Sequence, residues 1–214
     1  MNKLLLKESN VSGRLFTFCG LDGSGKTTMI QFLKKYLEEK GLNPVFTRQP
    51  TQQIRKSQMF RNFQDMPNHD EYSYRSLSLL AASDRLQHST KFIEPLVRGG
   101  NIVISDRYFF SCLANLRARG FSRDKWIYEI AAYILKPTIS FFIDVPVDTA
   151  IERIRAREEE KDSYIDIELQ YSLREEYLNI ARDIGGIVIS GTNPIEECEK
   201  IIIECIEEKL KKAG

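Results

Sequence analysis

The chain has 214 residues, 42% of them hydrophobic and 29% charged, with a formal net charge of +1 at pH 7. That length carries one domain with a core of its own, and a charge so near zero argues against nucleic acid or a membrane surface as partner. Leu4-Leu5-Leu6 is too short for a secretory signal and no later run is long enough to span a bilayer, so a cytoplasmic protein is expected.

Residues 1–13 read as a loose lead-in. Leu15-Phe16-Thr17-Phe18-Cys19 is a short apolar run, the mark of a buried strand. After a glycine-rich loop, Met29, Ile30, Leu33, Tyr36 and Leu37 recur at helical spacing, and Gly41 closes that helix. Residues 43–47 form a second predicted strand, ending in Arg48-Gln49-Pro50-Thr51. A modest helix is predicted over 54–64, broken by Met66-Pro67-Asn68-His69. A long helix follows over 71–97, which Pro95 kinks or ends. Gly99-Gly100 turns the chain into a third strand, 101–106, with Asp106 at its tip. The order is completed by a helix over 126–135 that Pro137 stops, a strand over 139–145 and a helix over 148–157. A charged stretch at 158–162, a helix over 168–182, a strand over 185–190 and a closing helix over 194–212 follow. Strands that alternate with helices and are apolar throughout make a parallel sheet covered on both faces. The expected architecture is three-layer α/β/α with a five-stranded parallel sheet, one domain over 1–214 without repeats or linkers.

In such folds ligands gather beyond the carboxyl ends of the strands. Gly20-Leu21-Asp22-Gly23-Ser24-Gly25-Lys26-Thr27-Thr28 lies there, between a strand and a helix, and fits the phosphate-loop pattern G-x-x-x-x-G-K-[ST]. The fold is therefore read as that of the P-loop nucleoside triphosphate hydrolases. The glycines let several backbone N–H groups point at one anion. Lys26 reaches the β- and γ-phosphates, the Thr27 hydroxyl ligates Mg²⁺, and the phosphates sit at the positive end of the following helix. Gly20, Asp22, Gly23, Ser24, Gly25, Lys26, Thr27 and Thr28 form the candidate ATP-binding set; the plain alternative is a glycine-rich turn with no ligand.

Asp106-Arg107-Tyr108 ends the third strand, where a carboxylate suits Mg²⁺ held through water and an arginine suits a second phosphate; the alternative is a strand-end salt bridge. Arg48, at the tip of the second strand, suits an anion or is a solvated loop cation. Asp144 also follows a strand end. Arg153-Ile154-Arg155-Ala156-Arg157 leads into Glu158-Glu159-Glu160-Lys161-Asp162. It reads as a short lid around 153–165 bringing one arginine to a transferring phosphate, or as a solvated helix end. Arginines two apart do not share a helix face, so all three cannot do one job. Two phosphate-holding regions imply a donor and an acceptor. An acceptor that is itself a phosphate needs no strong base, so positioning and charge neutralisation suffice. His69 and His88 are accordingly expected as surface or helix residues. Cys19, Cys112, Cys198 and Cys205 have no C-x-x-C spacing and are expected as reduced thiols.

Taken in order, these segments resemble the thymidylate kinase family of nucleoside monophosphate kinases over nearly the whole length. The likeness is carried by residues 18–28, Thr47-Arg48-Gln49-Pro50, residues 79–88, Ser105-Asp106-Arg107-Tyr108, Asp144-Val145-Pro146 and the lid arginines. It implies transfer of the ATP γ-phosphoryl group to dTMP with Mg²⁺, in a homodimer. Lys26 and Thr27 would hold ATP phosphates and Mg²⁺, and Asp106 would organise the metal and its waters. Asp22 would accept a hydrogen bond from the acceptor 3′-hydroxyl. Arg48 and Arg107 would hold the acceptor phosphate, Arg85 would face the base, and Ser111 and Asn115 would lie beside the acceptor. One of Arg153, Arg155 and Arg157 would close over the phosphates, since Gly23 stands where other members carry a loop arginine. Residues 191–194 would lie near the adenine.

Three departures fall on the acceptor side. Gln49 and Thr51-Gln52-Gln53 replace the usual Glu and glycines. Ala81 replaces a Phe that stacks on thymine, a contact worth about 1–3 kcal/mol, with Phe109 or Phe110 nearby as possible replacements. Asn115 replaces an aromatic residue that crowds out a ribose 2′-hydroxyl, and an amide can bond a hydroxyl instead. Two other readings therefore stand beside dTMP phosphorylation: the same reaction on a different nucleotide, and a nucleotide-binding protein without turnover. A switch GTPase is set aside for lack of an Asn-Lys-x-Asp guanine reader.

Overall fold

The computed structural model describes residues 3–8, 11–65, 73–161 and 164–211. Five strands, β1 (Arg14–Cys19), β2 (Val45–Arg48), β3 (Ile102–Asp106), β4 (Ile139–Asp144) and β5 (Ile187–Ser190), pair in parallel in the order β2-β3-β1-β4-β5. The first strand in sequence is thus the central one. Its neighbours are β3 and β4; the chain runs from β1 to β2 at one edge and, after β3, crosses to β4 on the other side of β1, so the loop after β1 lies where the strand order reverses.

The helices are α1 (Lys26–Glu39), α2 (Gln52–Arg55), α3 (Gln58–Asp65), α4 (Tyr74–His88) and α5 (Glu94–Arg98), then α6 (Phe109–Ala118), α7 (Trp126–Ala131), α8 (Val147–Arg155), α9 (Ile167–Ile184) and α10 (Ile195–Lys211). Side chains alternate across a strand, and β1 feeds both layers accordingly. Phe16 and Phe18 pack with Leu33 of α1 and Ile202 of α10, while Leu15 and Cys19 pack with residues of α6 and α9. Both faces of the sheet are covered, as the expected three-layer fold of the P-loop nucleoside triphosphate hydrolases requires.

The helical segments depart from expectation where local chemistry intervenes. The helix predicted over 54–64 is two, α2 and α3, because the Ser57 hydroxyl accepts from the Phe60 N–H (3.3 Å) and starts a new helix. The predicted break at Met66 to His69 lies outside the described residues. The long helix predicted over 71–97, whose residues 71 and 72 are also outside them, is not simply ended by Pro95. It passes through a π-helical turn at Ser89–Ile93 into α5, with Pro95 in the first turn. A proline cannot donate four residues back and its ring crowds that carbonyl, which a widened turn relieves. The helix expected over 126–135 stops at Ala131, and Tyr133 and Ile134 bond three residues back in tighter turns. Helix α6 has no counterpart in the sequence reading. It is buried nearly all round, so it shows no apolar stripe to find.

Leu33 is fully buried in the layer between sheet and α1. Leu33→Ala should lower stability by about 2–5 kcal/mol, seen in urea unfolding as a lower midpoint at unchanged slope; a loss under about 1 kcal/mol would contradict this packing.

Candidate active site

The loop after β1 is pressed against neighbouring backbone. Gly20 (φ +138°) and Gly23 (φ +78°) hold conformations that side chains disfavour. A Cβ on Gly20 would stand 2.3 Å from the Ile143 carbonyl oxygen of β4, and one on Gly23 would stand 2.3 Å from that of Ala150 in α8. The loop then enters α1 at Lys26 through Gly25. The Lys26 ammonium is buried and donates to the carbonyls of Leu21 (2.6 Å) and Gly20 (3.2 Å). Burial, with repulsion from Arg107, lowers its pKa to about 8, against the opposing pull of Asp22 and Asp106. Thr27 and Thr28 are exposed on the first turn of α1, and the Ser24 hydroxyl is buried without a hydrogen-bond partner among the described residues.

Sheet register brings the next groups level. Arg48 of β2 pairs with Asp106 of β3, and Asp106 pairs with Phe18 of β1. Arg48 Nε lies 3.1 Å from Asp106 Oδ2. Asp106 Oδ1 is buried with no hydrogen-bond partner among the described residues. A bare buried carboxylate oxygen is costly, and it fits a water or a cation placed opposite it. No cluster of three or more His, Cys, Asp or Glu forms among the described residues. The oxygen donors at this end of the sheet are the exposed Thr27 hydroxyl and the Asp106 carboxylate, groups of the kind that bind a hard cation.

Arg107 turns the chain from β3 into α6 at a left-handed φ of +63°, with its N–H bonded to the Phe18 carbonyl (2.8 Å). Its guanidinium donates to Asp22 Oδ1 (2.6 Å), the Tyr177 hydroxyl (2.9 Å) and the Gly20 carbonyl (3.3 Å). Burial alone would lower the Arg107 pKa, but Asp22, Tyr177 and Asp106 together outweigh it and raise it. The same guanidinium holds Asp22 well below the ordinary carboxylate range, although the Asp22 side chain is 65% exposed. Arg48 is steadied from both sides: His88 of α4 meets Thr47 Oγ1 at Nε2 (2.9 Å) and Gln49 Nε2 at Nδ1 (3.1 Å). His88 is therefore a half-buried strap between sheet and helix, stacked on Phe92.

Beside the loop opens a cavity of about 290 Å³ whose lining includes Asp22, Arg48, Arg85, Arg107, Ser111 and Asn115, all singled out from the sequence. Arg85 is buried and donates to the Ala81 carbonyl (2.9 Å). Ser111 Oγ accepts from the Tyr177 hydroxyl (3.0 Å). Asn115 donates to the Ser111 carbonyl (2.9 Å) and accepts from Arg119 (2.8 Å). Ala81 also lines the cavity. Phe109 and Phe110 do not; both are fully buried in the core, so neither replaces the missing aromatic. Phe60, Tyr74 and Tyr177 line it instead, and the Tyr74 ring already meets Arg119 (4.1 Å above it) and Phe121.

The lid arginines separate by position. Arg153 reaches the phosphate loop, donating to the carbonyls of Gly191 (3.0 Å) and Gly23 (3.4 Å). Arg155 is bonded to the Lys161 carbonyl and Arg157 to Glu160 (3.1 Å), both within the charged turn. Residues 162 and 163 of the lid lie outside the described set. Asp144 is held by a two-point ion pair to Arg174 of α9 (2.7 and 2.8 Å). The turn after β5 packs on the loop, since a Cβ on Gly191 would stand 2.5 Å from the Ser24 carbonyl.

The strand ends that build this arrangement fall within residues 18–202, a stretch that matches the thymidylate kinase family. The chain belongs to that family. A thymidylate kinase of a Geobacillus species is 33% identical over 210 residues, covering 94% of this chain and 99% of its own. One from a Sulfurihydrogenibium species is 35% identical over 207 residues, covering 92% and 98%. A probable thymidylate kinase of Thermococcus gammatolerans is 32% identical over 197 residues, covering 89% and 94%. Against the thymidylate kinase pattern, sequence reasoning missed Tyr177, Arg174, Phe60 and Arg55. Tyr177 and Arg174 sit on a helix about seventy and thirty residues past their partners, and no local motif announces such pairs. Phe60 and Arg55 stand in a polar stretch whose only signal was its departure from the family's glycines.

Two tests follow from this geometry. Arg153→Ala should reduce turnover by roughly 10³, while Arg155→Ala and Arg157→Ala stay within about tenfold; the reverse ranking in steady-state kinetics would move the phosphate contact out along the lid. Burial brings the Lys26 pKa down to about 8. Phosphate favours its charged form, so above that pH binding must take up a proton. Affinity for a non-hydrolysable ATP analogue should therefore fall above about pH 8, by up to about tenfold per pH unit, in calorimetric titrations from pH 7 to 10; a flat profile would contradict the assignment.

Proposed function

We propose that the protein transfers the γ-phosphoryl group of ATP to dTMP, giving dTDP and ADP, as a single kinase domain with a short lid around 153–165. The observation that carries this is the convergence at one sheet end of a phosphate loop, with its buried lysine, and a separate cavity entered by Arg48, Arg85 and Arg107. One side takes a triphosphate and the other takes a phosphate attached to something larger.

An oxygen of the acceptor phosphate forms the new bond to the γ-phosphorus as the bond to the β,γ-bridging oxygen breaks. The bond electrons leave with ADP. The attacking oxygen is already ionised, so no proton has to be removed, in keeping with a site that presents arginines rather than a general base. Lys26 holds the β- and γ-phosphates once they displace the Leu21 and Gly20 carbonyls from its ammonium. Arg107 and Arg48 draw the acceptor phosphate toward them, and Arg153 closes from the lid over the transferring group. Asp22 faces the acceptor sugar, and Arg85 the base. Thr27 and Asp106 would hold Mg²⁺, which when bound would supply positive charge to the phosphate oxygens. Gly191 to Pro194 border the adenine. A homodimer and a cytoplasmic location complete the reading; no helix among the described residues is long and apolar enough to cross a membrane.

A second reading keeps the reaction and changes the acceptor, and the cavity supports it specifically. Ala81 offers no ring to stack on thymine, and Asn115, its amide bonded to Ser111 and Arg119, stands where an aromatic residue that excludes a 2′-hydroxyl is expected. ADP release with ATP, Mg²⁺ and each of dTMP, dUMP, UMP, CMP, GMP and AMP decides between the two. Turnover with dTMP at an ordinary rate is expected, with Lys26→Ala lower by at least ~10³. Silence on dTMP with turnover elsewhere would establish the changed acceptor. ATP binding with silence throughout would establish a nucleotide-binding protein without turnover.

A further inference from the structure

The loop that follows Arg48 is docked on the cavity wall by two side chains that the chemistry above leaves unused. Arg48 ends β2, an edge strand, and just beyond it the Gln49 N–H still donates to the Asp106 carbonyl of β3 (3.0 Å). From there helix α4 holds the chain. Gln49 is fully buried and its Nε2 meets His88 Nδ1 (3.1 Å), while its Oε1 has no hydrogen-bond partner among the described residues. A bare buried amide oxygen costs stability that an apolar side chain would not, so the contact with His88 is what a glutamine contributes there. Thr51 stands at the N-cap of α2, where a threonine hydroxyl ordinarily accepts from its own helix. It makes no such bond. Its hydroxyl donates instead to Asp84 Oδ1 (2.5 Å), and its N–H donates to Asp84 Oδ2 (2.9 Å). Asp84 and His88 are four residues apart on α4 and so share a face, and Arg85, between them in sequence, lines the cavity with Ala81.

We propose that Gln49 and Thr51 are positioning residues for the acceptor phosphate: tethered to His88 and Asp84, they hold the Arg48 loop in one place on α4. Both are departures from the usual Glu and glycine, so the device belongs to this chain's own sequence; a glycine at 51 would have no hydroxyl to give Asp84. A long, half-exposed side chain such as Arg48 loses rotamer freedom when it binds an anion, and a loop that is already docked leaves less to be ordered at that moment. The inference rests on the kinase reading above, in which Arg48 meets the acceptor phosphate. It adds how that arginine is set against the wall that carries Arg85 and Ala81.

The test is calorimetric titration of wild type, Thr51→Val, Thr51→Ser and Gln49→Leu with dTMP, UMP, AMP and thymidine, alongside the KM for ATP. Thr51→Val and Gln49→Leu should each weaken every monophosphate that wild type binds by about three- to tenfold, with thymidine affinity and the KM for ATP unchanged. Thr51→Ser keeps the hydroxyl and should stay within about twofold of wild type. In an Arg48→Ala background Thr51→Val should have no further effect on monophosphate affinity, a dependence that a merely structural role would not show. Circular dichroism confirms that each variant is folded, and Thr51 is part-exposed, so Thr51→Val keeps the test decisive if the buried Gln49→Leu does not fold. Unchanged monophosphate affinity in either folded variant overturns the proposal, as does a loss shared by thymidine or one that persists in full without Arg48. If wild type does not phosphorylate dTMP but binds other monophosphates in a Thr51-dependent way, the dTMP reading fails and the proposal stands. If wild type binds no monophosphate at all, both fail.

Discussion

Backbone pressed on backbone at Gly20 and Gly23 is the constraint from which the site follows. With 2.3 Å between a notional Cβ and the carbonyls of Ile143 and Ala150, neither position can carry a side chain without moving β4 or α8. The close approach seats the loop between the central strand and its neighbour and sets the direction in which α1 begins. Lys26 is buried as a consequence, and among the described residues its ammonium bonds the loop carbonyls of Leu21 and Gly20. The Arg153 contacts depend on the same packing, because they reach the loop through Gly23 and the turn at Gly191.

The site is ordered by charge. Arg107 binds a carboxylate, a phenol and a loop carbonyl at once, so β3, the phosphate loop and α9 are tied through one side chain. That arrangement keeps Asp22 ionised and in place, and it adds the repulsion that brings Lys26 down toward neutrality. Buried cations of this kind are poorly solvated and already oriented, which is the condition under which they stabilise phosphate charge most effectively. The unpartnered Oδ1 of Asp106 is the complementary feature, a buried anion with a place for water or metal opposite it.

The acceptor side differs in character. Its cavity is rich in arginine, its aromatic residues are Phe60, Tyr74 against Arg119 and Phe121, and Tyr177 bonded to Arg107, and its amide at Asn115 is turned into bonds with Ser111 and Arg119. The lining offers charge and hydrogen-bonding groups more than a free ring. The two phosphate regions keep the family's pattern while the base and sugar regions depart from it, and this contrast is why the acceptor is the informative variable for this protein.

The sequence by itself determined the strand-helix alternation and the phosphate loop, and its family resemblance pointed to Asp22, Arg48, Arg85, Arg107, Ser111 and Asn115 of the cavity lining. These are local signals: apolar runs for buried strands, glycines and a lysine at fixed spacing, charged residues at strand tips. Strand order, register and the pairing of Arg48 with Asp106 were decided only in three dimensions, since parallel strands distant in sequence must be aligned before those side chains meet. Helix α6 escaped the sequence because burial on all sides erases the periodicity that marks a surface helix. The division of labour among Arg153, Arg155 and Arg157 was equally illegible, since three like residues differ only in what the fold places beside them. Tyr177, Arg55 and Phe60 joined the site for the same reason: what they do is set by neighbours that the chain brings to them only when folded.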